Sequence, residues 1–247
     1  MTRTSPPPGT EAGPARRRLP SRLAAEFVGT AFLLAAIVGS GIMAETLTGD
    51  VGLQLLQNAF ATAAALVALI LALGPASGAH FNPAVTLADR LLGGIDTPTA
   101  LAYVVAQISG GVAGVMGANV MFDLSAVDWS ATDRSASHLA FAEGVATLGL
   151  LMVIFGVVRA GVPAVAAFAV GAYVASAIFF TSSTAFANPA VTIARSFSDA
   201  FAGIAPSSVP PYVAVQLIAT IIAVGLVRLI YPRIGEVADL VVVPHED

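Results

Sequence analysis

His80-Phe81-Asn82-Pro83-Ala84-Val85-Thr86-Leu87-Ala88-Asp89 and Phe186-Ala187-Asn188-Pro189-Ala190-Val191-Thr192-Ile193-Ala194-Arg195 are two copies of one pattern, set 106 positions apart. In each, an Asn able to cap a helix precedes a Pro whose missing N–H would be unpaired in a first turn anyway. Ala-Val-Thr, an aliphatic residue and Ala then continue as a helix. A Ser/Gly/Ala/Thr-rich stretch unsuited to helix leads into each copy, and long apolar segments lie on both sides. The pattern predicts two short helices, each with an exposed N-terminus, inside a membrane protein.

Composition agrees. Of 247 residues 57% are hydrophobic and 11% charged, with a mean hydropathy of +0.85, whereas an average soluble domain has roughly 25% charged residues. The absence of Cys excludes disulfides, thiolate metal sites and Cys nucleophiles. All eleven basic residues are Arg, and a scattered net charge of −4 argues against a nucleic-acid partner.

Apolar runs at about Leu23–Ala44, Val51–Leu73, Thr99–Phe122, Leu139–Val158, Val162–Thr181 and Tyr212–Tyr231 are each about long enough to cross a hydrocarbon layer of ~30 Å at 1.5 Å per residue. The expected class is an all-α membrane protein of six transmembrane helices plus two half-helices. Residues 1–20 read as a disordered basic tail, 21–122 as a first repeat, 123–137 as an external loop carrying Asp123, Asp128 and Asp133, 138–231 as a second repeat, and 232–247 as a cytoplasmic tail. With both termini cytoplasmic, only Arg134 and Arg195 lie outside, as the positive-inside rule requires.

The halves share more than the Asn-Pro-Ala boxes. Ala25-Glu26-Phe27-Val28-Gly29-Thr30 is echoed by Ala142-Glu143-Gly144-Val145-Ala146-Thr147, and Tyr103-Val104-Val105-Ala106-Gln107 by Tyr212-Val213-Ala214-Val215-Gln216. Three spans per half make the second half inverted relative to the first, so one short helix enters from each side. Their N-termini then meet at mid-membrane, where two partial positive charges disfavour cations and protons. The non-helical segments leading in, with Gly78, Ala79 and His80 in one and Ser183, Thr184 and Ala185 in the other, are tolerated at that depth only along a wet cavity. Their carbonyls would stripe an apolar tube, which describes a pore for neutral polar solutes.

These residues resemble those of the aquaporin family, the major intrinsic proteins. The resemblance rests on Asn82-Pro83-Ala84 and Asn188-Pro189-Ala190, the preceding Ser77 to Phe81, Glu26 and Glu143, and Gln107 and Gln216, and it spans about Leu23 to Tyr231. It implies a right-handed six-helix bundle, one pore per protomer, a homotetramer, and loop-bracing roles for Glu26 and Glu143. Most of the family has Arg directly after the second box as part of the narrowest filter; here that position is Val191. Counted without gaps from the boxes, its partners are Thr62, Ser176 and Ala185, all small, which implies a wide, weakly polar constriction. Arg195, four residues beyond Val191, either hangs over the outer vestibule or turns to the headgroups or to Asp199. Asp89 holds the equivalent place at the inner mouth and reads as a solvated vestibule carboxylate, while His80 reads as pore-lining or loop-bracing.

The expected function is a passive channel for water and small neutral solutes, with no catalysis, no cofactor and no metal. Second boxes reading Asn-Pro-Ala-Val-Thr-Ile-Ala-Arg resemble those of a bacterial branch associated with arsenic detoxification, which adds undissociated arsenous acid to the expected solutes. The expected setting is the bacterial inner membrane, in contact with lipid. A water-selective channel is the main alternative, followed by a gradient-coupled transporter, a membrane enzyme and an adhesive member of the family. Asn rather than Asp or Glu at mid-membrane speaks against coupling, and no nucleophile and base lie together. Gly110, Gly114 and Gly117 are spaced for close helix packing.

Overall fold

A computed structural model describes residues 18–160 and 163–232. Both expected tails, apart from a few residues at their inner ends, lie outside the described residues, as does Val162, the first residue of the expected fifth span.

Helix α1 (Leu19–Leu47) opens with Pro in its first turn. Helix α2 (Val51–Ser77) starts where the Asp50 carboxylate accepts from the Leu53 N–H at 3.0 Å and stops at Gly78, whose φ of 87° is a conformation that favours glycine. Helix α3 (Pro83–Leu92) is the first half-helix, capped by Asn82. Helix α4 (Thr97–Met121) is capped by Asp96 through the Thr99 N–H at 2.7 Å. The second half repeats the order with α5 (Ser137–Arg159), α6 (Pro163–Phe180), the half-helix α7 (Pro189–Ala194) and α8 (Val209–Ile230). A 3-10 turn over Arg195–Phe197 prolongs α7.

Among the described residues five helices (α1, α2, α4, α5 and the segment ending in α8) are long and apolar enough to cross a membrane. The sixth expected span, α6, has 18 residues, which at 1.5 Å per residue is about 27 Å and close to the hydrocarbon thickness. Large apolar side chains such as Phe32, Phe60, Phe141 and Leu229 point outward. In lipid that is the favourable side for them.

Within the first repeat α1 packs on α2 and α4; within the second α5 packs on α6 and α8; α2 against α6 joins the two. Each half-helix crosses into the other repeat, α3 touching α8 and α7 touching α4. Close approach of α4 to α1 rests on Gly110 and Gly114, where an added Cβ would run into the backbone at Phe27 and Ala31. Gly117 faces open space and takes no part. The connection after α4 folds back over the second half-helix. Asp128 N–H donates to the Phe197 carbonyl at 3.1 Å, Ser130 N–H to Ser196 at 3.0 Å and Ala205 N–H to Thr132 at 2.7 Å.

Candidate functional site

The two boxes meet as the charge argument requires. Asn82 Oδ1 caps its own helix by accepting from the Ala84 N–H at 2.8 Å, and its Nδ2 donates across to the Ala187 carbonyl at 2.8 Å. Asn188 accepts from the Ala190 N–H at 2.9 Å and donates back to the Phe81 carbonyl at 2.8 Å. Each asparagine therefore orients one cap and one cross-repeat bond.

The loops leading in share a costly backbone. Ala79 and Phe81 have φ of 49° and 48°, and Ala185 and Ala187, 106 positions on, have the same two values. Left-handed conformations at non-glycine residues cost on the order of 1–3 kcal/mol each and persist only where the surroundings overdetermine them. Buried carboxylates do so here. Glu26 Oε1 accepts from Ser77 Oγ at 2.6 Å and the His80 N–H at 3.0 Å; its Oε2 accepts from the Phe81 N–H and Gln107 Nε2, both at 2.7 Å. Glu143 accepts from the Phe186 N–H, the Ala187 N–H and Gln216 Nε2, each at 2.8 Å. With their N–H groups turned to the glutamates, the loops present Ala79 to Asn82 and Thr184 to Asn188 to a central cavity.

That cavity has a volume of about 70 Å³, several times the ~10–15 Å³ that admits one water. Its wall is built from ladders four residues apart: Leu33 and Ile37 on α1, Asn58, Thr62, Leu66 and Ile70 on α2, Leu150 and Ile154 on α5, and Val170, Val174 and Ile178 on α6. Val85 and Val191 of the half-helices complete it. Thr62 carries a buried hydroxyl with no hydrogen-bond partner. An apolar tube with one polar stripe suits a solute that is neutral but hydroxylated.

Thr62, Ala185, Val191, Ala79, His80, Thr184, Asn82 and Asn188 all border the cavity. Ser176 does not: it is exposed, and Val174, two residues earlier, faces the lumen instead. Two residues on a helix are about 200° apart, so a slip of two in the gapless count turns the expected residue to the opposite face. Gly78 and Ser183 are also corrected, since neither borders the cavity; Gly78 ends α2, and Ser183 is fully buried with its hydroxyl accepting from the Ala185 N–H. Phe186, at the end of the second lead-in segment, borders the cavity as well, whereas Phe81 and Asn58 were missed. For Asn58 the signal was present, four residues before Thr62 on one helix face.

Asp89 is not a solvated vestibule carboxylate. It is fully buried, 3.6 Å from His80 Nε2, because α3 is enclosed by α4, α5 and α8 and keeps its second turn inside the protein. The His80 side chain is likewise sealed, with Nδ1 3.0 Å from Thr86 Oγ1. Arg195, only 6% exposed, borders the cavity and stacks on the Phe186 ring with 3.5 Å from Cζ to the centroid. Asp199 is engaged elsewhere, accepting from the Ala131 N–H at 2.8 Å.

An inverted repeat with two capped half-helices around a narrow cavity defines a membrane pore architecture. The chain belongs to the major intrinsic protein family, whose model matches residues 16–165. It is 46% identical over 210 residues to "Aquaglyceroporin AqpS" of Rhizobium meliloti (strain 1021), a match covering 85% of this chain and 90% of that protein. "Aquaporin Z" of Brucella melitensis is 36% identical over 93 residues, 38% of this chain and 40% of that protein. Among solved structures, the aquaglyceroporin from Plasmodium falciparum superposes with a TM-score of 0.66 at 21% identity, covering 89% of this chain and all of that one, a likeness of fold.

Proposed function

We propose that the protein is a passive, multi-pass membrane channel for water and small neutral solutes of glycerol size, and that undissociated arsenous acid is among them. The observation that carries the reading is the cavity wall: Val191 stands where most of the family has arginine, and Thr62, Val174 and Ala185 add neither an aromatic ring nor a charge. The relative named as an aquaglyceroporin supports the same size of solute. The setting we infer is the bacterial inner membrane with cytoplasmic termini, as a homotetramer with one pore per protomer. The two asparagine-capped boxes would hold cations and protons back by the converging helix N-termini.

Arg195 beside Phe186 favours a second reading, a water-selective pore narrowed at its outer end. Stopped-flow light scattering on wild-type proteoliposomes separates the two. The broad channel passes glycerol, and passes arsenous acid at neutral pH without a proton gradient. A water flux with no glycerol flux supports the second reading, and a flux that requires a gradient contradicts both.

A further inference from the structure

We propose that the outer mouth is a binding site for a small oxyacid monoanion, formed by Arg134 and Arg195 over the Phe186 ring; the proposal rests on the channel reading only for its effect on solute flux.

The two repeats place different chemistry on the same frame. Seven residues after the box asparagine stands Asp89 in the first copy and Arg195 in the second; two residues before it stands His80 in the first and Phe186 in the second. Each of these rings meets a tyrosine edge-on, His80 against Tyr103 at 5.3 Å and Phe186 against Tyr212 at 5.4 Å. An arginine from outside the half-helix completes each set. Arg22 Nε donates to the Tyr103 hydroxyl at 2.8 Å in the inner set, and the Arg134 guanidinium lies 5.1 Å from the Phe186 ring in the outer one.

The inner set is closed within itself, since His80 Nε2 lies 3.6 Å from the Asp89 carboxylate. The outer set is open. Neither Arg134 nor Arg195 has a carboxylate within salt-bridge distance among the described residues. The Glu143 carboxylate is occupied by two backbone N–H groups and Gln216. Arg195 Nε donates to the Ala202 carbonyl, and its two Nη groups have no acceptor among the described residues. Arg134 donates from Nε to the Gly203 carbonyl at 2.9 Å and makes only a 3.5 Å contact from Nη1 to the Ser183 carbonyl. The fully buried Tyr212 packs edge-on against the same Phe186 ring. Neutral oxygens and an aromatic face thus hold two guanidinium groups in place without neutralising either.

Guanidinium donors in a fixed fork match two oxygens of one anion, and such charge-assisted pairs are the strong ones. A monoanion suits the site because the cavity inward of Arg195 is apolar and would not accept a second uncompensated charge.

The test uses the purified full chain in detergent and in proteoliposomes, with sodium methanesulfonate as probe and sodium chloride at equal ionic strength as reference. At a concentration on the order of 100 mM, enough to fill a millimolar site, methanesulfonate raises the thermal midpoint of the wild type and slows its glycerol flux twofold or more relative to chloride. Arg195→Gln loses both differences, Arg195→Lys keeps part of each, and Arg134→Gln weakens the thermal response about tenfold in concentration, as expected for losing one charge-assisted contact. Equal responses to methanesulfonate and chloride overturn the proposal, as do wild-type responses in Arg195→Gln. Should Arg195→Gln fail to fold, Arg134→Gln, in the outer connection, decides in its place: a weakened response supports the site and a wild-type response overturns it. A wild type that passes no glycerol even in chloride contradicts the channel reading instead, and the thermal response then decides the anion site alone.

Discussion

Replacing Glu26 by Gln tests whether buried carboxylates hold the pore loops in their strained shape. Glu26 accepts four hydrogen bonds, two on each oxygen. A glutamine keeps one acceptor oxygen; with its amide nitrogen toward Ser77 and His80 it can donate to the Ser77 hydroxyl, which accepts as well as donates, but it confronts the His80 N–H. One buried N–H left unsatisfied costs about 1–3 kcal/mol, and exchanging the Ser77 bond to a charged acceptor for one with a neutral amide adds about 1 kcal/mol, a loss of about 2–4 kcal/mol out of the roughly 5–15 kcal/mol that holds a typical fold. Glu143 accepts three bonds, with Ala187 and Gln216 sharing one oxygen. Glu143→Gln can keep that pair and strand only the Phe186 N–H, for about 1–3 kcal/mol. The expected order is therefore wild type, Glu143→Gln, Glu26→Gln in thermal midpoint and in glycerol flux per folded protein. The assay is thermal unfolding of detergent-solubilised protein alongside stopped-flow flux. A Glu26→Gln variant as stable as the wild type, or less damaged than Glu143→Gln, would refute the bracing account.

Other changes probe the walls and the packing. Val174→Phe narrows the lumen and reduces glycerol flux, whereas Ser176→Phe, on the opposite face, leaves it unchanged; the reverse result would restore the gapless count. Gly114→Leu drives a side chain into the α1 backbone at Ala31 and abolishes the folded yield, while Gly117→Leu is tolerated, as size-exclusion profiles would report. Asn82→Ala removes a helix cap worth about 1 kcal/mol together with the bond to the Ala187 carbonyl, and lowers the thermal midpoint measurably.

The architecture was legible because its signals are local and duplicated. Asn-Pro at a helix start has one good physical use, and finding it twice with an odd number of spans between leaves only the inverted arrangement. Glu26 and Glu143 were legible for the same reason, since a charge repeated in two apolar spans must have partners near each repeat. Ser176 failed because a count through the irregular Thr181 to Ala187 segment carries no rotational information, and a helix turns about 100° per residue. Asp89 failed because only tertiary packing reveals that the second turn of α3 is enclosed. Arg134 read as an external residue of an acidic connection, and nothing local shows that the connection folds back to bring it to Phe186. A helix end or a repeat can be read along the chain, whereas a side chain's neighbours across the bundle cannot.

The central claim is that Val191 leaves the pore wide enough for hydroxylated solutes, and the direct measurement is the ratio of glycerol to water permeability in wild-type and Val191→Arg proteoliposomes. The account predicts that Val191→Arg lowers the ratio about tenfold, the effect of roughly 1.4 kcal/mol on the glycerol barrier, with water flux largely retained. An unchanged ratio in Val191→Arg, or a wild type that already excludes glycerol, would contradict it.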